Sequence, residues 1–195
     1  MIRIGILGDI GSGKSFVSKV FGYPVFNADY EVSRLYKKDK EIFIKLNKKL
    51  PKYIFKFPID KNEITAAILS NKNNLKKIIN IVHKEIRKKM KLFLIKNKKK
   101  NIIILDIPLL LENKINNKKD ILIYVDAKKS KLNKRLKNRP NFNRKLFNKF
   151  KKIQLPINYK KRKAHFIIKN DFTKISVKIG IKKVLEEINK WKKSF

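Results

Sequence analysis

A glycine-rich octapeptide near the N-terminus is the first candidate for chemistry. It reads Gly8-Asp9-Ile10-Gly11-Ser12-Gly13-Lys14-Ser15 and matches the spacing G-x-x-x-x-G-K-[ST] between an apolar strand pattern and a helical run. In such a loop the backbone N–H groups surround phosphate oxygens, and the next helix adds partial positive charge at its N-terminus. We expect Lys14 to reach the β- and γ-phosphates of a nucleotide and the Ser15 hydroxyl to bind Mg²⁺. The predicted phosphate-binding residues are Gly8, Gly11, Ser12, Gly13, Lys14 and Ser15.

Two aspartates follow apolar runs, at positions where ligands of open α/β sheets bind. Asp29 comes after Pro24–Asn27 and has a functional interpretation, in which it accepts a hydrogen bond from an acceptor hydroxyl or holds Mg²⁺ through water. Its alternative is a purely structural role as the N-cap of a helix that begins at Tyr30. Asp106 ends the run Ile102–Leu105, which is the position of a Walker-B carboxylate and predicts a metal ligand.

The phosphate-binding motif alone does not separate kinases from GTPases and ATPases. The residues after Asp106 lack the glycine of the GTPase motif D-x-x-G. Residues 117–120 do spell N-K-x-D, but they precede an apolar run, whereas a guanine-reading motif follows a strand. We interpret this match as chance in a turn rich in asparagine and lysine.

Three arginines stand out in a stretch dominated by lysine: Arg135, Arg139 and Arg144. The planar guanidinium group stabilises charge on phosphoryl oxygens, and a closing lid could deliver it when substrate is bound. The alternative for each arginine is a solvated basic helix face. His83 lies in a helical pattern, where position alone favours a surface or partly buried histidine.

The elements that position these residues follow from alternating strand and helix patterns, which predict βαβ units around a parallel sheet. The strand candidates are Ile2–Leu7, Pro24–Asn27, Ile102–Asp106, Ile121–Val125 and Phe166–Lys169. A C-terminal amphipathic helix that includes Ile181 and Trp191 should pack on this sheet. The fold class is therefore α/β, with a five-stranded parallel sheet flanked by helices.

Two longer stretches are predicted to be insertions within one domain that spans residues 1–195. The first covers about 30–99, where Asp60 begins a short helix to about Leu69 and a longer helix begins near Asn74. The second covers about 128–156 and contains two basic helical segments broken at Pro140. A helical insertion and a basic lid suit an enzyme that encloses two substrates.

The composition restricts the class of protein. Hydrophobic residues make up 43% of the 195 residues and no cysteine is present, so we expect a packed domain without a disulfide or a thiolate site. No apolar run is long enough to span a bilayer and no leader pattern is recognised, so a cytoplasmic location is expected. The net charge of +37 comes mostly from lysines scattered along the chain. Lysine has A/T-rich codons, so we attribute this excess to the base composition of the genome and not to a specific nucleic-acid partner.

Several motifs, in order and over nearly the whole chain, resemble those of bacterial dephospho-coenzyme A kinases. Residues 8–15 look like G-G-I-G-S-G-K-S, and Asn27-Ala28-Asp29 is similar to D-A-D, with Asp29 at the aspartate taken as catalytic. His83 corresponds to H-P, and residues 108–112 resemble P-L-L-[FV]-E. Arg139, Arg144 and Gln154 follow the lid pattern, and residues 164–170 resemble A-D-x-V-I-x-N.

The resemblance implies ATP and Mg²⁺ at the phosphate-binding loop and dephospho-coenzyme A as the second substrate, phosphorylated at its ribose 3′-hydroxyl. It implies that the catalytic residues are Asp29, Lys14 and Arg139. Phe16 through its backbone N–H, Arg135 and Arg144 would join the nucleotide site. The implied substrate-binding residues are Asp29, His83, Pro108, Leu109 and Glu112, and the implied metal ligands are Ser15 and Asp106.

The chain departs from the family pattern at Asp9, Asn27, Lys84 and His165, and also has Phe16 where many relatives have threonine. Asp9 would place a negative charge near phosphates unless it points away. Two other functions stay open at this stage: a small kinase for a nucleoside, nucleotide or shikimate, and a basic ATP-dependent nucleic-acid-binding protein. A panel of acceptors and a DNA-binding test would separate them.

Overall fold

A computed structural model describes residues 1–140 and 142–193 of the chain. Five strands form one parallel sheet in the order β2-β3-β1-β4-β5. Their bounds are β1 Ile2–Gly8, β2 Val25–Asn27, β3 Ile102–Asp106, β4 Ile121–Asp126 and β5 Phe166–Lys169. The predicted fold class is confirmed, and each predicted strand agrees with the observed one to within one residue at either end.

A helix follows every strand except β3, which is joined to β4 by turns, so the predicted alternation holds only in part. In chain order the helices are α1 Lys14–Val20, α2 Ala28–Lys38, α3 Lys40–Lys49, α4 Lys61–Ser70, α5 Lys72–Lys96, α6 Lys129–Lys137, α7 Arg144–Ile153, α8 Ile157–Lys163 and α9 Lys174–Lys193. None of the described helices is both long enough and apolar enough to cross a bilayer.

Strand β1 occupies the middle of the sheet, between β3 and β4. Its residues 4–8 are all buried, as expected for a parallel strand covered on both faces. The chain therefore leaves the centre of the sheet at Gly8, which lies opposite Val125 of β4. Asp106 ends the neighbouring strand β3 on the other side, so the glycine-rich loop begins between the carboxyl ends of β3 and β4.

The chain forms two compact units, and the first contains the sheet. It comprises Met1–Phe26, Lys99–Phe142 and Lys151–Phe195. Helices α1 and α9 supply Val17, Val177 and Ile181 to a core shared with the strands. Gly180 of α9 lies so close to the sheet that an added Cβ would be 3.0 Å from Ile168. The predicted packing of a C-terminal helix on the sheet is confirmed.

The second unit comprises Asn27–Lys98 and Asn143–Phe150 and is helical. Its described core residues include Leu35, Ile42, Leu46, Ile54, Ile68, Ile78, Val82 and Ile86. Asp60 caps α4 by accepting a hydrogen bond from the Asn62 N–H at 2.6 Å, which confirms the predicted helix start. Helix α5 begins at Lys72, slightly before the predicted position, because Asn71 accepts from the Asn73 N–H at 2.8 Å and caps it.

The N-K-x-D sequence forms a structural turn ahead of β4. The carboxylate of Asp120 accepts from the Asn117 N–H at 2.8 Å and from Arg3 Nη2 at 3.1 Å. Burial raises the pKa of Asp120, and the bonds from Asn117 and Arg3 oppose that rise. Since Asp120 is buried and engaged in the turn, these contacts support interpreting the match to a guanine-reading motif as chance.

Candidate active site

The phosphate-binding loop takes a conformation that depends on its glycines. Gly11 and Gly13 have φ angles of 82° and 89°, a left-handed region in which other residues are strained. A Cβ on Gly8 would lie 2.5 Å from the Ser12 hydroxyl oxygen. The loop therefore requires glycine at each of these three positions, for the backbone angle or for the space.

The Ser12 hydroxyl is a buried polar group of the loop. Ser12 is 1% exposed, and no described residue offers its Oγ a hydrogen bond. A buried hydroxyl without a partner costs about 1–3 kcal/mol. A phosphate oxygen in the loop would accept this hydrogen bond, so the donor set fits the predicted nucleotide.

Lys14 and Asp9 both make contacts within the loop. Lys14 Nζ donates to the carbonyl oxygens of Asp9 at 2.9 Å and Gly8 at 3.3 Å. The Asp9 carboxylate accepts from the Ile10 N–H at 2.7 Å. Burial raises the pKa of the Tyr124 hydroxyl to about 12, and the negative charges of Asp9 and Asp126 add to that rise. Asp9 thus binds a backbone N–H of the loop itself, which explains how the loop accommodates an acid at this position.

The two predicted metal ligands lie on adjacent elements of the first unit. Ser15 is exposed in the first turn of α1, and Asp106 is 3% exposed at the end of β3. A hydroxyl and a carboxylate are hard oxygen donors, and Mg²⁺ commonly takes one or two protein ligands together with substrate phosphates. The residues present therefore fit a Mg²⁺ ion that is bound jointly with a nucleotide.

Glu112 holds together two later segments of the chain. Its Oε1 accepts from the Leu155 N–H at 3.0 Å and lies 3.1 Å from Lys160 Nζ, which also donates to Gln154 at 3.2 Å. The Lys160 side chain is 4% exposed, so this ion pair is buried. The preceding Pro108 and Leu109 form the turn after β3, where Leu109 has a φ of 56°. A substrate-binding role for these residues stays a prediction, while the observed contacts of Glu112 are structural.

Helix α6 is held against the phosphate-binding loop. The buried Leu136 packs over Gly11, where an added Cβ would be 2.9 Å from its side chain. The Arg135 guanidinium lies 4.8 Å from the centre of the Phe172 ring. Arg139 lies beyond the helix end and is exposed. The two predicted basic segments exist as α6 and α7, and their function as a lid stays a prediction.

Three other predicted site residues belong to the helical unit. Asp29 is exposed in the first turn of α2, but the cap of that helix is Asn27, whose Oδ1 accepts from the Tyr30 N–H at 2.7 Å. The interpretation of Asp29 as an N-cap is therefore wrong, because the helix begins at Ala28, two residues earlier than expected. His83 is half-buried on α5, where burial and then the charge of Arg87 lower its pKa. Arg144 is exposed at the start of α7.

The sequence profile of the dephospho-CoA kinase family matches residues 2–175. The chain belongs to the dephospho-CoA kinase family. It is 31% identical over 191 residues to the dephospho-CoA kinase of Wolbachia sp. subsp. Brugia malayi (strain TRS), and 32% identical to that of Wolbachia pipientis wMel. Both alignments cover 95% of this chain and 97% of the relative. The resemblance inferred from the motifs is confirmed, and the chain is a kinase.

A solved structure with a similar fold is TT1252 from Thermus thermophilus. It is 26% identical in sequence, has a TM-score of 0.75, and the match covers 95% of this chain and 97% of that one. Sequence reasoning missed one residue of the site in this dephospho-CoA kinase family member. Asn170 bonds directly to the phosphate-binding loop, and its only sequence signal was its place at the end of a family motif.

Proposed function

We propose that this protein transfers the γ-phosphoryl group of ATP to the ribose 3′-hydroxyl of dephospho-CoA, giving CoA and ADP in the last step of CoA biosynthesis. The observation that carries the proposal is the family match over residues 2–175, which includes the phosphate-binding loop with its buried Ser12 hydroxyl. The substrates are two small polyanions, which suit a protein with a net charge of +37. We place the enzyme in the cytoplasm, with no specific nucleic-acid partner.

The loop and Lys14 would bind the phosphates and neutralise charge that develops during transfer. Phosphoryl transfer passes through a loose transition state, so positioning and charge stabilisation supply most of the catalysis. The Lys14 ammonium, which now bonds the carbonyls of Gly8 and Asp9, would contact the β- and γ-phosphates instead. The backbone N–H groups of the loop and of Phe16 would complete the phosphate site.

Ser15 and Asp106 would hold Mg²⁺, the first directly through its hydroxyl and the second as the carboxylate at the end of β3. When bound, the ion would neutralise charge on the β- and γ-phosphate oxygens. This assignment rests on the oxygen chemistry of the two side chains and on their positions at the loop and at the neighbouring strand.

Asp29 would orient the attacking hydroxyl and accept its proton late in the transfer. The 3′-oxygen then forms a bond to the γ-phosphorus while the bond from that phosphorus to the β,γ-bridging oxygen breaks, and ADP leaves with the electron pair. The hydroxyl proton moves to the Asp29 carboxylate. Asn27, and not Asp29, is the N-cap of α2.

We propose that the remaining predicted residues also contact the substrates. We assign Arg139 and Arg144 to the transferring phosphates, and Arg135 to the nucleotide side through its position against Phe172. His83, Pro108 and Leu109 would line the site for the CoA moiety. For Glu112 we propose that it affects substrate binding through its contacts with Leu155 and Lys160.

The test is ATP consumption with and without dephospho-CoA, together with identification of the phosphorylated product. We expect ADP formation that depends on dephospho-CoA and a product that carries the new phosphate on the 3′-oxygen. Shikimate and nucleosides serve as alternative acceptors. Turnover with one of them and none with dephospho-CoA would refute the proposed substrate while keeping the kinase assignment.

A further inference from the structure

Asn170 joins three segments of the first unit from a buried position just after β5. It is 2% exposed and uses both ends of its side chain. Its Nδ2 donates to the Ser12 carbonyl at 2.8 Å, and its Oδ1 accepts from the Phe172 N–H at 2.9 Å. Its backbone N–H donates to the Asp126 carbonyl at the end of β4 at 2.7 Å. Asn170 therefore ties the phosphate-binding loop to the ends of two strands.

The fit between Asn170 and the loop leaves no spare room. A Cβ on Gly13 would overlap Nδ2 of Asn170 and lie 3.5 Å from the Phe172 ring. The amide cannot easily move away, because its other end is bonded to the Phe172 backbone. Glycine is thus required at position 13 for two reasons: the left-handed φ of 89° and the close approach of Asn170.

The bond to Ser12 fixes the orientation of one peptide group in the loop. In a planar trans peptide the C=O and the following N–H point in opposite directions. Because Asn170 holds the Ser12 carbonyl on its own side, the Gly13 N–H must point the other way. In phosphate-binding loops these N–H groups are the phosphate ligands, so the direction of this peptide decides whether the loop can bind.

We propose that Asn170 is a positioning residue for nucleotide binding, which holds the Ser12–Gly13 peptide in its phosphate-binding orientation before ATP arrives. The inference deepens the proposed function, since it rests on the loop being the site for ATP phosphates. Preorganisation of this kind reduces the cost of ordering the loop on binding. Asn170 needs no contact with either substrate for this role.

The first test variant is Asn170→Asp, which keeps the size of the side chain and the acceptor for Phe172 but replaces the donor to Ser12 with an oxygen. We expect the Kd for ATP, measured without dephospho-CoA, to rise by about 10-fold or more, a size typical of losing one buried hydrogen bond and leaving the carbonyl unpaired. The KM for ATP should rise with it, while the KM for dephospho-CoA stays unchanged. Asn170→Ser, which is neutral and too short to reach, should show the same pattern and covers the case in which the aspartate variant fails to fold.

Asn74→Asp is the matched control. Asn74 is also a buried asparagine, 6% exposed, whose Nδ2 donates to a backbone carbonyl, that of Ala67 at 3.0 Å. It lies on α5 in the helical unit, so the same substitution should lower the melting temperature without changing the Kd for ATP. Wild-type ATP affinity in both Asn170 variants would overturn the proposal, and so would an equal loss of affinity in Asn74→Asp. If the wild type binds ATP but does not phosphorylate dephospho-CoA, the proposed substrate fails, while the ATP-binding comparison still decides the role of Asn170.

Discussion

Asp29 and Asn27 stand two residues apart at the start of α2, and the structure separates their roles. Asn27 accepts from the Tyr30 N–H and caps the helix, whereas Asp29 is exposed in the first turn. An aspartate at either position could cap a helix in principle, so residue type alone could not decide between them. Since Asn27 fills the capping role, the chemical role proposed for Asp29 can be tested without disturbing the cap.

We predict that Asp29→Asn lowers turnover by about 100-fold or more, a size typical of losing a positioned general base. The melting temperature and the Kd for ATP should stay close to those of the wild type. The comparison variant is Asn27→Ala, which should cost about 1 kcal/mol of stability through loss of the cap. Turnover with dephospho-CoA and thermal unfolding of both variants are the measurements. A fully active Asp29→Asn enzyme would remove Asp29 from the catalytic residues.

His83 should make the stability of the protein depend on pH. Burial and the charge of Arg87 lower its pKa in the folded state, so the unfolded chain takes up a proton first as the pH falls. Its contribution to stability is therefore complete above the ordinary histidine range near pH 6.5 and is lost as the pH falls toward the lower folded value. We predict that His83→Gln flattens the decline in unfolding free energy between pH 7.5 and 5.

Denaturant unfolding at a series of pH values checks this prediction. Parallel stability curves for the wild type and His83→Gln would show that His83 titrates alike in the folded and unfolded chains. The KM for dephospho-CoA of the same variant tests the separate prediction that His83 binds substrate.

At the scale of elements, the buried pair Glu112 and Lys160 fixes α8 and the end of the 128–156 segment to the turn after β3. We predict that Glu112→Gln destabilises the protein by about 3–5 kcal/mol, because it leaves the buried Lys160 ammonium without its charge partner. The double variant Glu112→Leu with Lys160→Met should be much less destabilised, since an apolar pair of similar volume often replaces a buried ion pair at little cost.

Chemical denaturation of the single and double variants measures this effect. A single variant as stable as the wild type would show that the pair contributes little to the fold. The KM for dephospho-CoA of the folded double variant tests the predicted substrate contact of Glu112. An unchanged KM assigns Glu112 to structure alone, and a raised KM assigns it to the substrate site.

The elements themselves were largely predictable because their signals are local. Apolar runs set the five strands, and Asp60 set the start of α4 through a contact two residues away. The loop that binds phosphate was equally clear from spacing. The bond from Asn170 to Ser12 joins residues 158 positions apart, and the burial of Glu112 depends on Lys160 and Leu155 in another segment. Such contacts arise from the packing of strands and loops, which the order of residues along the chain does not encode locally.

For the whole molecule, the excess of basic residues gives a net charge of +37, and its effect should be long-range and unspecific. Salt shortens the reach of such a field, with a Debye length of about 10 Å at 0.1 M and about 3 Å at 1 M. The phosphoryl-transfer step depends on charged groups in direct contact with the substrates. Salt screens these short-range interactions much less. The two effects of charge can therefore be separated by ionic strength.

We predict that raising KCl from 0.05 to 0.5 M, a range chosen to span about 14 to about 4 Å of Debye length, increases the KM for ATP several-fold and leaves kcat nearly unchanged. Unrelated DNA duplexes should inhibit the enzyme at the low salt concentration, equally for different sequences, and should lose this effect at the high one, because counterion release drives such binding. Steady-state kinetics at each salt concentration, with and without two DNA duplexes of different sequence, are the measurements. Inhibition that persists at 0.5 M KCl and favours one duplex would identify a dedicated nucleic-acid site. It would contradict the view that the lysine excess results only from the base composition of the genome. A parallel fall of kcat and kcat/KM would instead place the salt effect on the transfer step, for which we propose roles of Lys14 and the arginines.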